Sequence, residues 1–206
     1  MSIGLIYETH AITTDNERGI ATGWRPGELS RAGRRAAKEL GTRRQTDGTE
    51  IVFVSDLRRA VETAVIAFAG SSIPIISDAR LRECDYGQLN GMRRSRLDAE
   101  RAHHLVEPWP GGESYMDVVH RTAAFLEELA IEQDPGRVLV IAHSANHWAI
   151  EHLLLGKDLG ALVEAGMAWQ PGWEYHLPAG WEYMPFPSTA RDRQGGTESS
   201  EDAFDE

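Results

Sequence analysis

Two histidines, an arginine and a glutamate each stand just beyond an apolar run of this chain. Ile3-Gly4-Leu5-Ile6-Tyr7 leads into Thr9-His10-Ala11, with Thr13 and Asn16 close behind. Val138-Leu139-Val140-Ile141-Ala142 leads into His143-Ser144. Between them lie Ser55-Asp56-Leu57-Arg58-Arg59-Ala60 and Leu81-Arg82-Glu83. These residue types suit phosphoryl transfer. A neutral imidazole can attack phosphorus in line. A carboxyl group can protonate a leaving oxygen and then take a proton from water. A guanidinium fork and the free N–H groups of a helix start can hold phosphate oxygens.

These side chains can meet only if the elements before them converge. Residues 3–7, 51–54 and 138–142 are short, β-branched apolar runs, and residues 73–76 form a weaker one; all four are expected to be strands. Ser30 precedes a helical segment expected to stop at Leu40-Gly41. Leu57, Ala60, Val61, Ala64, Val65 and Phe68 have helical spacing, as do Val118, Thr122, Phe125, Leu126 and Leu129. Ile150, Leu153 and Leu154 repeat it after His143, while Trp173, Tyr175 and Leu177 alternate like a half-buried strand. Strands alternating with helices predict an α/β fold, a three-layer sandwich with a mainly parallel sheet. In such sheets, sites form beyond the carboxyl ends of the strands, where His10, Ser55–Arg59 and His143 lie.

The 206 residues, 41% of them hydrophobic, suit one domain with a substantial core. Residues 1–186 are expected to form it, and residues 187–206 to be a disordered acidic tail. Net charge is −11, five of it from Glu198 to Glu206, leaving −6 elsewhere. Such a balance argues against nucleic-acid binding. Cys84 is the lone cysteine, no apolar stretch approaches a membrane span, and no leader pattern opens the chain. A cytoplasmic protein is the simplest expectation, and a homodimer is left open.

The ordered motifs resemble those of the histidine phosphatase superfamily, also called phosphoglycerate-mutase-like, over roughly residues 3–177. His10, Asn16, Gly23-Trp24, Leu29-Ser30 and Gly33 follow that family's opening pattern. The segment from Ser55 to Ala64 looks like its second motif, Leu81 to Gly87 like the loop carrying its proton donor, and Pro110-Gly111-Gly112-Glu113-Ser114 like a further segment. Val138 to His143 looks like the strand ending in its second histidine. The resemblance implies His10, Glu83 and His143 as catalytic residues, with phosphate held by Arg59, Thr9, Asn16 and Ser144. His10 would form a phosphohistidine, Glu83 would be the acid and base, and neither metal nor cofactor would be needed. The partner would be a small phosphorylated or acidic metabolite.

The chain also departs from that pattern. Thr9 stands where the family has arginine, Ala11 and Ser144 stand where it has glycine, and Ile12 replaces a polar residue. Losing one charged donor costs about 3–4 kcal/mol of transition-state stabilisation, or about 10²–10³ in rate. His147 and Arg18 are candidates to compensate. Three functions therefore stand side by side: a metal-independent phosphatase, a phospho-ligand-binding module of weak or no activity, and an enzyme reassigned to a non-phosphoryl reaction. A mutase is less favoured, because only about 26 residues separate Glu83 from Pro110, leaving little room for a lid.

Blander readings cover the rest. Arg58 and His103-His104 are expected to face solvent, and Cys84 to be a buried filler. Trp148, Trp169 and Trp173 are expected to pack in the core and rim. His143 and His147 have metal-pair spacing, but the helix is expected to begin only after His143. Substrate choice is expected to reside in residues 90–109 and 169–173.

Overall fold

The computed structural model describes residues 2–131 and 136–184. Within them the strands are β1 (Ser2–Thr9), β2 (Ile20–Ala21), β3 (Ile51–Ser55), β4 (Ile75–Asp78), β5 (Met92–Arg93), β6 (Arg137–Ala142) and β7 (Trp173–Pro178). The α-helices are α1 (Thr14–Glu17), α2 (Arg31–Arg44), α3 (Arg58–Ala67), α4 (Arg94–Glu100), α5 (Tyr115–Ile131), α6 (Ser144–Leu155) and α7 (Leu159–Ala165). The anticipated acidic tail lies outside the described residues.

One sheet has the order β4-β3-β6-β1-β7. Its first four strands run parallel, and β7 closes the edge antiparallel to β1. β6 is central and covered on both faces, so Val138 to Ala142 are all buried. β7 has one wet face, so Tyr175 and Leu177 are buried while Glu174 and His176 are exposed. β4 is the opposite edge, and its Ile75 and Ile76 remain partly in solvent. It starts at Ile75 rather than Ile73, because Pro74 has no N–H for the ladder.

Side chains leave a strand on alternating faces, and β1 shows the consequence. Ile6 packs with Leu40, Val52, Val54, Ala60 and Ala64 beneath α2 and α3. Leu5 and Tyr7 point the other way, into a cluster with Phe125, Leu126, Leu129 and Ile150 of α5 and α6. A third cluster, including Cys84, Tyr86, Trp109, Tyr115 and Trp148, packs the cap formed by the segment after Glu83. The fold is the anticipated α/β sandwich. Cys84 is fully buried, as expected of a filler.

Two local expectations fail for physical reasons. Gly41 does not stop α2, which continues to Arg44. Its role is close packing: a Cβ there would lie 2.0 Å from the backbone oxygen of Ala67 on α3. The small β2–β5 pairing is also absent from the sequence reading, since two-residue strands carry no periodicity. His104 is not fully solvated either, because its ring stacks on Trp109 with centroids 3.6 Å apart.

Candidate active site

The parallel ladder delivers the two histidines side by side. Thr9 is registered with Ala142, and the His10 N–H extends the ladder to the Ala142 carbonyl at 3.0 Å. One residue further along each strand, the His10 and His143 rings lie 5.0 Å apart between centroids. His143 is the N-cap residue of α6, so the helix begins after it, as anticipated. β3 lies on the other side of β6, and its last residue, Ser55, places Oγ 2.9 Å from His143 Nε2.

Arg59, second residue of α3, joins the two rings. It is 2% exposed. Its Nε donates to His10 Nε2 at 3.2 Å. Its Nη2 lies 3.3 Å from His143 Nδ1 and also donates to the Gly23 carbonyl at 2.9 Å. Nη1 donates to the Arg25 carbonyl at 3.3 Å. Arg58 beside it faces solvent and pairs with Glu28, as a solvated residue should.

These contacts fix both tautomers. A guanidinium only donates and a carbonyl only accepts. His10 Nδ1 is 2.8 Å from the Ala11 carbonyl, so Nδ1 carries the proton and the Nε2 lone pair faces Arg59. His143 receives Arg59 at Nδ1, so its proton is on Nε2, directed at Ser55 Oγ. The turn after His10 is held in turn: the Ala11 N–H donates to Thr63 Oγ1, which donates to the Arg59 carbonyl.

Electrostatics keep both rings neutral. Burial and then the Arg59 charge lower His10 to about 3. The same two causes, followed by His10, push His143 well below the ordinary histidine value. Burial also pulls the Arg59 guanidinium down, opposed chiefly by the carboxylate of Glu83. His10 is thus a neutral imidazole whose Nε2 lone pair accepts from Arg59 Nε. A neutral His143 donates one hydrogen bond, to Ser55 Oγ, and adds no charge.

Glu83 follows a short 3₁₀ turn after β4. Its Oε1 accepts from the N–H groups of Cys84 at 2.9 Å and Ala145 at 3.2 Å. The second of these is a free N–H in the first turn of α6, which favours an anion there. Among the described residues Oε2 has no hydrogen-bond partner. The Glu83 carbonyl is pinned by Trp24 Nε1 at 2.6 Å and by Arg121 Nη2 at 3.0 Å, and Arg121 pairs with Glu113. Sequence reasoning missed Arg121, and it named Ser55 only as part of the segment leading to Arg59, not as a partner of His143. Their roles depend on contacts 38 and 88 residues away in the chain, which no local pattern reveals.

A cavity of about 410 Å³ opens against this centre. Thr9, His10, Asn16, His143 and Ser144 line it; Arg59 and Glu83 do not, and meet it through their bonds to His10, His143 and Ala145. Asn16 spends its Oδ1 on the N–H and hydroxyl of Thr13, capping α1. Among the described residues its amide nitrogen has no hydrogen-bond partner. The anticipated compensating residues are elsewhere. His147 is buried between Tyr7 and Trp173, and Arg18 ends α1; neither lines the cavity. The cations that do are Arg43 and Arg94. Trp169 also lines it, and Trp148 is core, in keeping with packing and rim roles.

Comparison with known proteins agrees with this architecture. The family model of the histidine phosphatase superfamily (branch 1) matches residues 9–169. A 2,3-bisphosphoglycerate-dependent phosphoglycerate mutase of Methylobacterium sp. (strain 4-46) is 32% identical over 167 residues, covering 74% of this chain and 80% of that protein. Phosphoserine phosphatase 1 of Hydrogenobacter thermophilus is 30% identical over 173 residues, covering 80% and 82%. The solved structure of a mycobacterial glucosyl-3-phosphoglycerate phosphatase superposes with a TM-score of 0.69 at 25% identity, covering 81% of this chain and 85% of that one. With these similarities and the two histidines joined by one arginine at the sheet edge, the chain belongs to the histidine phosphatase superfamily of phosphoryl-transfer enzymes.

Proposed function

We propose that this protein hydrolyses a phosphate monoester without a metal, through a phosphohistidine on His10. The observation that carries the reading is the His10 ring itself. Its proton is committed to Ala11, and its Nε2 lone pair faces a buried guanidinium. Substrate phosphate would take over the Arg59 Nε–H and free that lone pair. The Nε2–P bond then forms as the bond from phosphorus to the leaving oxygen breaks. Glu83 gives that oxygen its proton. In the second half, Glu83 takes a proton from water, the new P–O bond forms, and the Nε2–P bond breaks. Arg59, the Asn16 amide and Ser144 hold the phosphate oxygens. Thr9 adds a hydroxyl. Glu83 reaches the site through its bond to the Ala145 N–H, the residue after Ser144 of the cavity wall.

Incubation with simple phosphate monoesters, beside His10→Ala, tests this. Turnover abolished in the variant is expected; turnover unchanged would refute the assignment of His10. A second reading, a phospho-ligand-binding module, draws on Thr9 and on the Arg59 bond that occupies the His10 lone pair. Sub-millimolar binding of a phosphoester with no hydrolysis would favour it.

A further inference from the structure

The cavity extends well beyond the space around His10. Ala36, Leu40 and Arg43 line it at helical spacing from one face of α2. Ile12 lines it from the turn after β1, and Met167 and Trp169 from the segment between α7 and β7. Ile12 is 48% exposed and Trp169 64%, so apolar surface on both sides of one hollow lies open to water. Its volume falls at the lower end of what encloses an organic ligand of drug size, roughly 300–1,000 Å³.

Charge sorts the occupants. Arg43 is already paired with Glu8 at 3.3 Å, and Arg94 with Asp98 at 2.9 Å. A second phosphate or a carboxylate on the ligand meets the Glu8 carboxylate on the same wall and must compete with Glu8 and Asp98 for these two arginines. An aromatic ring finds Ile12, Leu40, Met167 and the Trp169 indole. We propose that this wall is the leaving-group subsite and that it selects phosphate monoesters of apolar, aromatic alcohols over those of small polyanionic ones. This rests on the phosphatase reading above and adds its substrate class. It also gives Thr9 a context. Binding energy from a remote, unreactive part of a substrate can be spent on the reacting centre, and the apolar wall offers that energy where the phosphate end offers one charge fewer.

The test compares kcat/KM for 2-naphthyl phosphate with that for 3-phosphoglycerate, in the unaltered chain and in Trp169→Ala and Ile12→Glu. Both substitutions are at exposed positions, and neither disturbs the core. A preference of at least about 100-fold for the naphthyl ester is expected, falling about 10-fold or more in each variant, as losing one buried apolar contact implies. Equal rates on the two esters, or a preference that both variants keep, would overturn the proposal. Binding separates it from the catalytic reading. 2-Naphthylphosphonate and methylphosphonate, neither hydrolysable, are titrated into the unaltered chain, Trp169→Ala and His10→Ala. Naphthylphosphonate binding at least about 10-fold tighter, lost in Trp169→Ala and kept in His10→Ala, supports the subsite even if no ester turns over. Equal dissociation constants would overturn it even if turnover is brisk.

Discussion

Replacing Arg59 with methionine tests the link between the buried guanidinium and the nucleophile. The methionine keeps most of the side-chain length and removes every donor. Four acceptors lose their partner: His10 Nε2, His143 Nδ1 and the carbonyls of Gly23 and Arg25. Each one left buried and dry costs about 1–3 kcal/mol, and water entering from the cavity side reduces the total. The larger effect is on charge. Burial and Arg59 together lower His10 to about 3, so removing Arg59 raises it, while burial keeps it below the ordinary value of about 6.5. His10 attacks only when neutral. The acid limb of kcat/KM set by His10 therefore moves up in pH in the variant. Above that limb, kcat falls by about 10²–10³, the cost of one oxyanion donor. Nitrogen-detected NMR of His10 across pH 3–8, with kcat/KM on the same samples, reads both. A His10 titration that stays put or moves down would refute the electrostatic coupling. A full rate at neutral pH would refute the clamp.

Further outcomes follow from the same geometry. Glu83→Gln keeps an oxygen for the Cys84 and Ala145 N–H groups but has no proton to give. Its kcat on alkyl phosphates falls about 10²–10⁴, and far less on p-nitrophenyl phosphate, whose phenolate leaves unaided; equal losses on both would contradict a proton-donor role. Ser55→Ala strands the buried His143 Nε2–H and lowers stability by about 1–3 kcal/mol in urea unfolding; an unchanged midpoint would show that the bond is unimportant. Gly41→Ala destabilises although alanine is the better helix former, because its Cβ would sit 2.0 Å from the Ala67 oxygen; a raised Tm would show that α2 and α3 separate freely. His147 is 5% exposed, and burial lowers it to about 4. Below about pH 6.5 the unfolded chain takes its proton first, so stability is full above that value and falls as pH drops towards 4. The loss is about 1.4 kcal/mol per pH unit from this residue, and His147→Phe removes that slope in urea titrations at pH 7.5 and 5.

His10 and His143 were legible because each ends an apolar run that only a buried parallel strand accommodates, and a parallel sheet aligns such ends. Helix-start position alone does not separate Arg59 from Arg58; the resemblance to the family's second motif singled out Arg59, and the structure buries it between the two histidines. Local pattern misled where two roles share one residue type. Gly41 looked like a helix stop, and only the approach of α3 shows why a side chain is forbidden there. His147 and Arg18 looked available near the site by sequence, yet packing buries the first on Tyr7 and Trp173 and leaves the second at the end of α1. Arg43 and Arg94 line the cavity from two helices far apart in the chain, and Arg121 reaches back 38 residues to the Glu83 carbonyl. No periodicity encodes such meetings, because they are set by how helices dock on the sheet.

The most direct measurement is of the His10 imidazole during turnover. Glu83→Gln, which slows water attack on the adduct, is mixed with p-nitrophenyl phosphate and quenched in alkali, where a phosphohistidine survives. Mass spectrometry and ³¹P NMR then locate the phosphoryl group. An acid-labile, base-stable adduct on His10 Nε2, absent from His10→Ala, is the expected result. Hydrolysis that continues at an undiminished rate in His10→Ala, with no adduct on His10, would contradict it.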